Sequence, residues 1–184
     1  MPITWTQNEA ANQLLDTDPL ALLIGMVLDQ QVRMEHAFSG PYELKQRLGR
    51  LDAREIASAD PGELDRVFRQ RPALHRFPGT MARRVQAMCA AVASDYGGDA
   101  GAVWRGVDDA NELAARIKKL PGFGDAKVKI LMAVLAKKFD IRPRGWEQYA
   151  ATWHSIADVD SPESMEEARA VKRRMKTEGH PPTP

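Results

Sequence analysis

Three times along this chain a helix-capping residue is followed at once by proline, and strand-like alternation of apolar and polar residues is almost absent between these points. Asp18-Pro19, Asp60-Pro61 and Ser161-Pro162 share one logic. The first side chain can accept from the free N–H groups of a helix start, and proline lacks only an N–H that would be unpaired there anyway. With glycine stops between them, such starts demand a string of helices. The signals predict helices over 19–28, 33–48 (with Gly40-Pro41 as a point of breakage), 52–58, 60–70, 80–96, 109–119, 124–139, 144–153 and 161–178, with a frayed tail at 180–184. In 80–96, Met81, Val85, Met88 and Val92 fall on one stripe, whereas Ile130 through Ala136 is apolar all round, as expected of a central, buried helix. Arg71-Pro72 and Phe77-Pro78-Gly79 punctuate an irregular loop. The expected fold class is all-α. Residues 20–140 would form one helical lobe, and 1–19 with 141–184 a second, smaller one.

Composition narrows the chemistry. Cys89 is the only cysteine, so disulfides within the chain and a four-cysteine iron–sulfur or zinc site are excluded. It falls in a helical run and reads as a small core residue. Neither His36 nor His75 has partners at metal-ligand spacing, so no metal and no cofactor are expected. The first residues carry no secretory pattern, and the longest uncharged apolar run, Pro19–Leu28, is too short for a bilayer. The expected setting is cytoplasmic, away from membranes.

Net charge is only +1, yet it is segregated. Residues 116–144 hold nine Lys or Arg against Asp125 and Asp140, and 66–94 hold six Arg and no acid. Those windows carry +7 and +6, which leaves −12 on the remainder. A basic face on an acidic body is what binding to phosphates would leave in a sequence, and basic solvated helix faces would leave the same trace.

Between two of the predicted helices lies Leu120-Pro121-Gly122-Phe123-Gly124. Helix, tight L-P-G-x-G turn and second helix make a helix-hairpin-helix. Two glycines permit positive φ and clear side chains away, so backbone N–H groups can approach a phosphate. The next helix adds its positive N-terminal dipole, and Lys127 and Lys129 can add formal charge. A plain helix–helix turn with a glycine cap would look similar. Upstream, an apolar helix from Leu22 runs into Asp29-Gln30-Gln31.

Buried apolar helix, glutamine pair, short helices, basic loop, long helix and hairpin, in that order over 20–145, resemble the endonuclease III and MutY-like superfamily of helix-hairpin-helix DNA glycosylases. Residues 25–49 are similar to an uncharacterised bacterial branch of it. The resemblance implies a two-lobed all-α fold, here without the iron–sulfur cluster of some relatives, and damaged double-stranded DNA as partner of a monomer. It implies that Gln31, with Gln30 beside it, probes the duplex next to the lesion. Leu74, His75 or Phe77 would wedge into the gap left by a flipped base. The hairpin residues Leu120, Gly122, Phe123 and Gly124, with Lys127, Lys129 and Arg144, would meet DNA.

Two departures qualify the chemistry. Bifunctional members carry a lysine nucleophile where this chain has Ala126; Lys127 is one residue on, roughly 100° further round the helix. Lyase activity is therefore not expected. The carboxylate that stabilises the departing sugar would fall at or just beyond Arg144, so Glu147, and behind it Asp140, are the candidate catalytic acids. Trp146, Tyr149 and Trp153 could line a base pocket or pack the small lobe. Three functions stay open: a monofunctional glycosylase acting on damaged, for example alkylated, bases; a catalytically silent lesion-binding protein; and a helical protein-interaction module.

Overall fold

The computed structural model describes residues 1–179; the tail expected to fray, 180–184, lies outside the described residues. Ten α-helices run in order: α1 (Glu9–Thr17), α2 (Pro19–Leu28), α3 (Met34–Leu48), α4 (Ala53–Ser58), α5 (Pro61–Arg69), α6 (Pro78–Tyr96), α7 (Ala110–Lys119), α8 (Asp125–Lys138), α9 (Trp146–Tyr149) and α10 (Pro162–Glu178). Single 3-10 turns occupy Ala100–Val103 and Ile156–Asp158. The fold is all-α.

Caps do the work expected of them. Asp18, Asp52, Asp60, Asp109 and Ser161 each accept a backbone N–H of the following helix. α1, ahead of the first Asp-Pro start, opens in the same way on Asn8, which accepts from Ala10 and Ala11. α6 starts at Pro78, two residues before the expected point. The 144–153 prediction shrinks to Trp146–Tyr149, after which Ala151 donates to the Lys129 carbonyl at 2.9 Å.

α2 is the axis of the molecule. Every residue after Pro19 is buried, and α1, α3, α6 and the 100–103 turn pack round it. Its contact with α3 is close enough to need two glycines. A Cβ on Gly25 would stand 2.7 Å from the Phe38 ring, and one on Gly40 would stand 2.5 Å from Leu28 Cδ1. The break considered at Gly40-Pro41 does not occur, and Pro41 sits inside a continuous α3. An interior proline costs about 3 kcal/mol. Fully buried Phe38 and Leu44, each worth roughly 1.5–3 kcal/mol, offset it. Trp5 closes this side, edge-on to Phe38 with ring centroids 4.7 Å apart.

α8 is the second buried helix, with Leu131 through Ala136 inaccessible. The 156–158 turn, α7 and α9 pack on it. The loop after it is tied to α7: Arg144 N–H donates to the Asp108 carbonyl and Ala110 N–H to the Arg144 carbonyl. Residues 1–19 contribute Ile3, Trp5 and Leu15, and 141–179 contribute Ile156, Val159 and Met165, to one apolar cluster with 20–140. α10 is tied to the end of α2 by the ion pair of Lys172 with Asp29 and to the start of α3 by that of Arg169 with Glu35. No helix among the described residues is long and apolar enough to cross a membrane.

Candidate functional site

Helix α2 ends in the body of the protein, where water cannot satisfy its last carbonyls. Asp29 N–H takes the Gly25 carbonyl at 3.0 Å. The Lys127 ammonium donates to the carbonyls of Met26 and, at 3.2 Å, Val27. Gln30 folds back, its amide N–H donating to Val27 at 2.8 Å and its amide oxygen accepting from Arg84. His75 Nε2 lies 3.1 Å from the Leu28 carbonyl and 2.9 Å from that of Gln30, so Nε2 carries the proton. Its Nδ1 then accepts from Phe77 N–H at 2.9 Å. Burial holds the imidazole below its ordinary pKa, partly countered by those carbonyls.

These bonds separate the residues expected to touch DNA. Gln30 is committed internally, whereas Gln31 is exposed on left-handed backbone, φ 56°. Gln31 stands between two open clefts of about 980 and 820 Å³, lining both. In the 71–79 loop, Leu74 and His75 are buried and hold the loop to α2. Phe77 is 39% exposed, with the Arg76 guanidinium 5.3 Å over its ring. Phe77 is thus the apolar side chain this loop presents.

The hairpin splits in the same way. Leu120 and Phe123 are buried and anchor the turn. Gly122 has φ 93°, and a Cβ there would meet Val27 Cγ2 at 3.4 Å. Gly124, expected to use positive φ, does not: its φ is −75°, and a Cβ would meet no protein atom within 4 Å. It is the N-cap of α8 and provides no side-chain cap, so the helix start is bare. Lys129 is exposed nearby. Lys127 points inward, and burial pushes its ammonium down to about 8, although Asp29 opposes the shift.

The basic windows are less free than their linear count implied. Arg116 pairs with Glu112, Lys118 with Asp125, Lys137 with Asp158, Arg142 with Asp140 and Arg144 with Asp109. Lys138 is buried and donates to the Val159 carbonyl at 2.7 Å. Lys119, Lys129, Arg71, Arg76 and Arg83 form no ion pair among the described residues. The exposed pairs are individually weak, about 0–1 kcal/mol, and a phosphate can displace the acid.

Below Asp29 lies a narrower pocket of about 200 Å³, walled by Met26, Met34, Ile130, Trp153 and Met175 with Ala126 at one side. Its ionisable groups are Asp29, Lys127, His154 and Lys172. The Asp29 side chain is only 11% exposed and ion-paired with Lys172. Neither expected acid is here. Glu147 is exposed on α9, and the Asp140 carboxylate is 84% exposed and turned to Arg142 at 3.3 Å. Trp153 lines the pocket, whereas Trp146 is half-buried outside it and Tyr149 donates to Asn111 at 3.0 Å. Sequence reasoning passed over Asp29 and Lys172. The available signal for Asp29 was an acid ending a wholly apolar helix. Lys172 carried none, because the pairing joins residues far apart in the chain.

The order of elements is therefore a buried helix with its glutamine pair, a loop pinned to it, and a hairpin with a bare helix start. Residues 24–177 match a family model described as HhH-GPD superfamily base excision DNA repair protein. The chain belongs to the HhH-GPD superfamily. No curated protein and no solved structure matches it. As an HhH-GPD protein it is a DNA-binding protein of the base-excision repair kind, and its hairpin is the superfamily's namesake motif.

Proposed function

We propose that this HhH-GPD protein is a monofunctional DNA glycosylase, which as a monomer extrudes a damaged base from duplex DNA and hydrolyses its N-glycosidic bond. The observation that carries the reading is the apolar pocket of about 200 Å³ beneath the probe loop, with Trp153 as a stacking wall. Its volume is below the roughly 300–1,000 Å³ of pockets for drug-sized ligands, a scale suited to one flat ring system. Phosphates would be held at the bare α8 start beside Gly124 and Lys129, with Gln31 and Phe77 meeting the bases. Ala126 supplies no amine, and Lys127 is spent on carbonyls, which supports hydrolysis without strand cleavage.

Positively charged alkylated purines are the substrates to expect first, because they depart as neutral bases and need the least stabilisation. The test is a panel of single-lesion duplexes, with abasic-site formation and binding scored separately. Release of one lesion without strand scission supports the proposal. A second reading, a silent lesion binder, draws on the exposure of both Glu147 and Asp140. Lesion-selective binding with no release from any duplex would favour it, and equal binding to damaged and undamaged DNA would refute both.

A further inference from the structure

A hydrolytic glycosylase needs a negative charge near the sugar. When the C1′–N bond breaks, its electron pair leaves with the base nitrogen, and the sugar is left as an oxocarbenium cation until water adds to C1′ and loses a proton. A fixed carboxylate in a water-poor site lowers the energy of that cation far more than an exposed one does, since exposed charge is screened. The acids of the loop after α8 are solvated, and Asp140 is also neutralised by Arg142. Asp29 differs in burial, although it too has a basic partner, Lys172. Asp29 caps α2 through its own N–H, is nearly buried, and is the carboxylate that lines the apolar pocket. It stands two residues before Gln31, at most about 7 Å along the chain, so a nucleotide displaced at the probe is within its reach.

Resting on the glycosylase reading, we infer that Asp29 is the carboxylate that stabilises the sugar cation, and that Lys172, reaching from α10, masks its charge until DNA enters. The Lys172 ammonium pairs with Asp29 in the free protein and is 40% exposed, so it can swing toward a phosphate when DNA enters. Lys127 faces the same carboxylate from α8 but is held by Met26 and Val27. The pocket thus contains one nearly buried carboxylate, one ammonium held on carbonyls and one movable counter-charge.

The inference can be tested without knowing the lesion. Two duplexes of identical sequence are compared, one with a pyrrolidine abasic nucleotide and one with a tetrahydrofuran nucleotide. The pyrrolidine ring nitrogen is protonated and mimics the cationic sugar, and the tetrahydrofuran is its neutral counterpart. Phosphate contacts cancel between them. The native protein should prefer the cationic probe by about tenfold or more, as transition-state mimicry requires. Asp29→Asn, which keeps shape and loses charge, should abolish the preference while retaining tetrahydrofuran binding. Lys172→Met should increase it several-fold, an opposite sign that a purely structural ion pair would not give; melting curves establish that each variant is folded. Specific tetrahydrofuran binding with no preference in the native protein overturns the inference and leaves the glycosylase reading standing. So does a preference that survives Asp29→Asn, or one lost in Glu147→Gln or Asp140→Asn instead. Failure to bind either abasic duplex better than intact DNA overturns both.

Discussion

Replacing Lys127 by methionine isolates the energetic consequence of burying one ammonium at the end of α2. Burial drops this group from 10.5 to about 8. At 1.36 kcal/mol per unit, the charged form costs the folded state about 3 kcal/mol at neutral pH relative to an ordinary lysine. The unfolded chain holds the proton up to about 10.5 and the folded chain releases it near 8, so the unfolded state binds more protons between those values. Stability from this residue therefore rises with pH across that window. Evaluated at pH 7 and pH 9.5, the linkage relation gives a gain of about 2 kcal/mol. Lys127→Met retains the stem and loses the titration. It also leaves the Met26 and Val27 carbonyls short of a donor, a cost of about 1–3 kcal/mol that does not vary with pH. The measurement is urea unfolding of both proteins at the two pH values, followed by tryptophan fluorescence. The native-minus-variant difference should grow by about 2 kcal/mol in favour of the native protein at the higher pH. Lys138, also lowered by burial, is common to both proteins and cancels. A difference that stays flat would refute the argument that Lys127 is buried and charged at neutral pH.

The two hairpin glycines should separate. Gly122→Ala strains a φ of 93° and should lower thermal stability, whereas Gly124→Ala meets no protein atom and should leave stability unchanged while weakening duplex binding. Lys129→Ala should reduce the log–log salt slope of binding by about one unit, and an unchanged slope would exclude a phosphate contact there. Gln31→Ala should lower the preference for an abasic over an intact duplex with little change on the intact one; equal losses on both would argue against a probe. Burial pushes the Cys89 thiol up to about 12, so it should resist thiol reagents at pH 8 until the protein unfolds.

The helices were legible because their ends are written in local chemistry: Asp18, Asp60 and Ser161 cap where their neighbours said they would. α3 was less so. Whether Pro41 breaks a helix depends on Gly25 and Gly40 letting α2 come close, a matter of packing and not of the residues beside it. The site divides along the same line. The hairpin and the glutamine pair are contiguous strings and could be read. Lys127 could be found but not oriented, since its direction is set by carbonyls about 100 residues away. The charge windows misled in part for a related reason. Folding brings acids such as Glu112 and Asp158 against bases that look unopposed in the linear chain.

The tie at the end of α2 has one more implication. The carbonyls of Met26, Val27, Leu28 and Gln30 are taken by Lys127, by His75 and by Gln30 itself. A carbonyl is the same whatever side chain it accompanies, so within the accepting stretch only Gln30, whose side chain is itself a donor, is needed for the knot. The donors at 75 and 127 are more constrained, because their bonds run through the side chain. In variants of this protein, constancy at this junction should therefore appear at those two distant positions as well as at Gln30, and losing His75 or Lys127 would slacken the 71–79 loop or the hairpin against the same helix end.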